Sequence, residues 1–141
     1  MKEVKGFTFI ELVFVLFIIS LLTFLVIPGL FSTLKKQQTK QFFTTFDADI
    51  LYIQNSALGT QQHVRILFEE DYYVIRNNRT KEAIKRYYPE HISRITKSNN
   101  RISFNDSGTV ISPFSYRFED ETTTYKIVFP LGKGRHYIEE Q

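Results

Sequence analysis

KGFTFIELVFVLFIISLLTFLVIPGLF, residues 5–31, decides the fold. From Leu12 to Phe31 the run holds no charge, and Ser20, Thr23, Pro28 and Gly29 are its only interruptions. Twenty helical residues span about 30 Å, the thickness of a bilayer's hydrocarbon core. Ser20 and Thr23 can return their hydroxyls to backbone carbonyls one turn back, so neither is expensive there. Glu11 stands at the head of the run. A carboxylate in the middle of a membrane helix costs about 2.5–3.5 kcal/mol on insertion scales, so its presence asks for a function.

Bulk composition limits what accompanies this segment. A chain of 141 residues has room for one further domain. Its 16% aromatic content supplies burial area and argues against disorder. No cysteine is present, which removes disulfides, thiolate catalysis and thiolate metal sites. The net charge of +3 is too small to imply nucleic-acid binding by itself.

A cleaved secretory signal would have a shorter apolar region and small residues at an Ala-x-Ala-like site, and "IPGLFSTLKK" lacks that spacing. Lys2 and Lys5 precede the segment while Lys35, Lys36 and Lys40 follow it, so a count of basic residues alone slightly favours the following domain inside the cell. A plain signal-anchor helix with an interfacial glutamate stays open on these residues.

The string Lys5-Gly6-Phe7-Thr8-Phe9-Ile10-Glu11 resembles the class III signal of type IV pilins and pseudopilins. The resemblance implies a leader, residues 1–6, cut between Gly6 and Phe7 by a prepilin peptidase acting from the cytoplasmic side. It implies N-methylation of Phe7, an assembly role for Glu11 and a helix break at Pro28. It also overrides the lysine count and puts the domain outside. Physically, the cut exposes an α-amino group with a pKa of about 7.7–8.0. The Phe7 ammonium of an adjacent subunit then becomes a partner for Glu11 in an apolar filament core, and breaking one half of a buried pair costs about 3–5 kcal/mol.

Beyond residue 31 the pattern changes. Phe42, Phe46, Ile50, Ile53 and Ala57 recur at helical steps, and Gly59 offers a stop. The expectation is a transmembrane helix over 7–31, an amphipathic continuation over 32–59 and an antiparallel β head over 60–141, an α+β, pilin-like fold. In the head, "HVRILFE" and "YYVIRN" flank the turn Glu70-Asp71. "RISFN" precedes the turn Asp106-Ser107-Gly108. Pro113 suits an edge strand or bulge, and the runs around Gly132-Lys133-Gly134 read as a terminal hairpin. About 80 residues make a thin core alone, so the sheet is expected to bury one face on Phe42, Phe46, Ile50 and Ile53.

Other chemistry is sparse. His63, His91 and His136 lack ligand spacing and read as surface or strand residues. Glu69-Glu70-Asp71 and Glu119-Asp120-Glu121 read as solvated turns. No nucleophile–base arrangement, cofactor motif or metal motif stands out. A basic stretch holds Arg76, Arg79, Lys81, Lys85, Arg86, Arg94, Lys97 and Arg101, with Tyr87 and Tyr88 among them, as candidates for contact with DNA or a partner protein. A solvated basic face is the plainer alternative.

The stretch "QNSALGTQQHVRILFEEDYYVI" is similar to the helix-to-sheet passage of small minor pilins. The expected function is that of a minor pilin in a Gram-positive competence pilus serving DNA uptake. A pseudopilin of a type II secretion machine and a membrane-anchored binding protein are the alternatives. The resemblance implies as partners major and other minor pilins, the prepilin peptidase, an assembly platform protein, an indirectly acting ATPase and the cytoplasmic membrane. It implies a single-pass precursor that becomes part of a surface filament.

Overall fold

An aromatic stripe on one helix face needs a surface to cover it. In the computed structural model, which describes residues 6–58, 64–96, 100–111, 114–130 and 135–141, that surface is two β-sheets. Helix α1 runs Phe9–Ala57. Its last turn tightens, with the Leu58 amide donating to the Asn55 carbonyl. Eight strands follow: β1 Val64–Phe68, β2 Tyr72–Asn77, β3 Ala83–Tyr87, β4 Ser93–Arg94, β5 Arg101–Ser103, β6 Ser115–Glu119, β7 Thr124–Val128 and β8 Tyr137–Glu140. The chain divides into two units, one ending at Gln37 and the other beginning at Gln38. Part of Lys5's leader stretch (residues 1–5), Gly59, His63, Lys97, Pro113 and the turn Gly132-Lys133-Gly134 lie outside the described residues.

In the unit up to Gln37, α1 is apolar enough and long enough to cross a membrane. Its large apolar side chains are exposed within the chain, Phe24 by 80%. Ser20 and Thr23 do return their hydroxyls to the carbonyls of Leu16 and Ile19, each at 2.8 Å. The helix continues through position 28, so the expected break at Pro28 is no helix end. Proline there supplies no amide hydrogen for the carbonyl four residues earlier. Just beyond it, the Ser32 and Thr33 hydroxyls both donate to the Gly29 carbonyl at 3.0 Å.

In the unit from Gln38, both sheets are antiparallel, with strand orders β3-β2-β1-β5 and β4-β6-β7-β8. The expected pairings of β1 with β2 and of β7 with β8 are present. A single sheet, however, is corrected to two. β6 is also an interior strand, between β4 and β7, and it begins after the proline that suggested an edge.

Alternation explains the inward faces: Val64, Ile66 and Phe68 of β1 are buried, as are Tyr116 and Phe118 of β6 and Tyr125 and Ile127 of β7. Phe42, Phe46, Ile50 and Ile53 are buried against them, and Ala57 is buried as well. Phe43 is buried too, with its ring 4.8 Å from Tyr125. Consecutive buried phenylalanines need a contact arc wider than one sheet offers, and the second sheet supplies it.

The turns are held by side chains. Asn105 Oδ1 accepts from the amides of Ser107 and Thr109, and Gly108 follows at φ +72°. A Cβ at Gly108 would meet Leu58 Cδ2 at 3.0 Å, while its carbonyl accepts from Gln54 Nε2 at 2.8 Å. Between β6 and β7, burial pushes the Asp120 carboxyl up, but the amides of Thr122 and Thr123 and the Tyr125 hydroxyl outweigh it and hold it below the usual range.

Burial pushes the phenols of Tyr73, Tyr88 and Tyr116 well above the free value of about 10. Their contribution to stability is complete below that value and is lost as pH rises past it, because the unfolded chain ionises first. In an alkaline titration of the protein in micelles, part of the tyrosinate absorbance should appear only together with loss of far-ultraviolet dichroism. Ionisation of every tyrosine with the β signal intact would contradict this.

Candidate functional site

Gly6, Phe7 and Thr8 precede α1 without regular structure and are exposed, Phe7 by 81%. Thr8 starts the helix. Its carbonyl accepts from the Leu12 amide at 3.2 Å and its hydroxyl from the Glu11 amide at 3.4 Å. Glu11 is therefore the third helical residue, where an acid is favoured by the exposed amides of the first turn. The sequence reading missed this capping role. Its signal is Thr8-x-x-Glu11 immediately before an apolar run. Helix capping accounts for an acid in the first turn. The exposed apolar side chains that follow identify a surface whose cover must come from lipid or from other molecules.

The head contains a second polar centre. Asp49 lies on the apolar face of α1 and is buried. It accepts from the Tyr73 hydroxyl at 2.7 Å, and from Arg86 Nε and Nη2 at 3.2 and 3.4 Å. The bond to Asp49 raises the Arg86 guanidinium above its ordinary value. Position 49 is three residues after Phe46 and four before Ile53, so an acid on the stripe was its sequence signal.

Two further ties reach the helix. His91 Nε2 and Thr39 Oγ1 are hydrogen-bonded at 2.9 Å, and His136 Nε2 meets Asp47 Oδ1 at 2.7 Å. His136 also stacks on Phe129, and its side chain is 10% exposed. Of its reading as a surface or strand residue, the surface part is corrected: His136 directly precedes β8, and Phe129 and Asp47 cover its ring.

The basic stretch is likewise divided. Arg86 is committed to Asp49. Tyr88 is half-buried, donates to the carbonyls of Glu69 and Tyr72, and packs edge-on against Phe42. Arg94 is half-buried over the Phe68 ring, and its Nη1 is buried without a hydrogen-bond partner among the described residues. These three do not form one surface with the others. Arg79 lies in the exposed turn after β2, and Lys81 follows it in the left-handed region at φ 63°. Arg76, Lys85, Tyr87 and Arg101 are exposed strand residues of the first sheet. Among the described residues no group of three or more histidines and carboxylates is arranged to hold a metal ion.

Competence protein ComGD of Bacillus subtilis strain 168 is 28% identical to this chain over 142 aligned positions, covering 100% of the chain and 97% of the relative. The chain is ComGD-like. Similarity over its whole length takes in the apolar helix and the β head together, and the α+β architecture of this ComGD-like chain fits the pilin fold expected from residues 5–11. No family model matches the chain. No solved structure matches it.

Asp49→Ala should lower stability by about 2–3 kcal/mol, because it strands the Tyr73 hydroxyl in the core. Arg86→Gln should cost less than about 1 kcal/mol, since that guanidinium side chain is 43% exposed. Denaturant titrations of both variants test the order, and equal losses would be inconsistent with it.

Proposed function

We propose that the chain is a minor pilin of a type IV-like competence pilus that serves DNA uptake. The observation that carries this is the juxtaposition at the N-terminus: an exposed Gly6-Phe7 step, an acid in the first helical turn, and an uncovered apolar helix behind it. Full-length similarity to a competence protein supports competence over secretion. The precursor is a single-pass membrane protein with the head outside. A prepilin peptidase cuts after Gly6 and Phe7 is methylated. The apolar part of α1 moves from lipid to the filament core, where other pilins cover it. Assembly is driven by an ATPase through a platform protein.

Glu11 supplies the register. Its carboxylate finds a cationic terminus only at one axial offset between neighbours, so slipped packings leave a charge unpaired in an apolar core. The role of the chain is structural, with no chemistry of its own.

Intact-mass measurement of the native protein should show the loss of residues 1–6 and a gain of one methyl on Phe7. Gly6→Leu should leave an uncut precursor in the membrane, and mature-sized product from it would refute the cut. Glu11→Ala should be processed normally yet fail to enter filaments recovered from the cell surface. Normal incorporation of that variant would remove the register role.

A further inference from the structure

Residues opposite one another on paired strands share a face. In the first sheet, Tyr73 and Ile75 belong to the core, so the alternate positions point the other way, where Val74 is itself buried between its neighbours. The register sets Arg65 opposite Arg76, and it places Lys85 beside Val74 and Arg101 beside Leu67. Tyr72 and Tyr87 are paired at one end of the same face, their rings 5.6 Å apart. No acidic residue occupies a strand position there; the carboxylates of Glu69, Glu70, Asp71 and Glu90 lie beyond the strand ends, where they line a cavity with Tyr87. Arg65 was absent from the basic residues singled out in the sequence, and only the sheet register brings it to them.

Two arginines, Arg65 and Arg76, stand opposite one another on this face. Like charges directly opposite one another destabilise a sheet, and Arg65 Nε is buried with no hydrogen-bond partner among the described residues. Lys85 Nζ sits 4.9 Å above the Tyr72 ring, which leaves the ammonium beside an aromatic surface rather than a carboxylate. Tyr87 is 68% exposed. Neighbouring strands are about 4.8 Å apart and alternate residues on one strand about 6.7 Å apart. Long side chains on such a grid can reach successive phosphates, while an exposed tyrosine offers a surface to a base or sugar.

We infer that the outer face of the first sheet binds the phosphate backbone of a nucleic acid, with Arg65, Arg76 and Lys85 as phosphate contacts and Tyr87 as a stacking contact. That the nucleic acid is DNA rests on the competence reading; the recognition of phosphates does not.

The test uses the full-length mature protein in uncharged detergent micelles and a fluorescently labelled DNA 20-mer, single-stranded or duplex, followed by anisotropy across a salt series. Binding should weaken with salt. Arg65→Gln/Arg76→Gln/Lys85→Gln should reduce affinity at least about tenfold at low salt and lower the salt slope by about 2–3. Lys36→Gln/Lys40→Gln, which removes charge elsewhere, should leave binding unchanged. Tyr87→Ala should weaken the single strand more than the duplex. No binding by the wild type, an unchanged triple variant, or equal loss in the two lysine controls would overturn the inference. Displacement of the DNA by poly-glutamate at equal charge would overturn it too, and would make the face a site for an acidic protein. Glu11→Ala should bind DNA as the wild type does while failing to assemble, and the triple variant should assemble normally. Failure of DNA binding is thereby separable from failure of the pilin reading.

Discussion

Phe46 and Ile53 are fully buried because β-sheets close on the second part of one helix. The helix completes a core that the two sheets share, and that cluster is largely aromatic: Phe46 of the helix meets Tyr73 at 5.4 Å, and Phe68 of the first sheet meets Tyr116 of the second at 4.6 Å. Rings of this size remove large apolar areas from water per residue. A head of modest length without a single disulfide is stable on that basis, since the helix supplies what a small all-β domain lacks.

The same helix obeys two rules along its length. After Gln38 its apolar residues form a face, and polar ones lie elsewhere. Before it, apolar residues occur all round, which fits a surround of lipid or neighbouring chains. Asp49 and Glu11 are the acids that depart from these rules. Asp49 is answered within the chain by Tyr73 and Arg86. For Glu11 the helix start gives a local reason to be there, and the proposed filament gives an external one.

Much of this was legible in the residues. The uninterrupted run from Leu12, the stripe from Phe42 to Ala57 and the β1–β2 hairpin follow from periodicity, which local chemistry enforces. What was not legible depends on pairing between distant segments. Nothing near Phe43 announces that a second sheet will cover it. His136 reads as a surface or strand residue, and nothing near it in sequence points to Asp47, 89 residues earlier. Arg86 and Tyr88 are sequence neighbours of Lys85 and Tyr87, but strand alternation turns Arg86 to the side of Tyr73 and Asp49, and the chain after β3 half-buries Tyr88 against Phe42. Arg65 joined the basic face for the same reason in reverse. Glu11's place at the helix start is legible in Thr8-x-x-Glu11 before an apolar run.

The ties between helix and sheets also bear on how the head transmits force. Asp49 grips the first sheet through Tyr73 and Arg86, while Asp47 grips His136 just before the last strand of the second. The two anchorages lie two residues apart on one helix. A pull on that helix thus reaches each sheet through a carboxylate of its own.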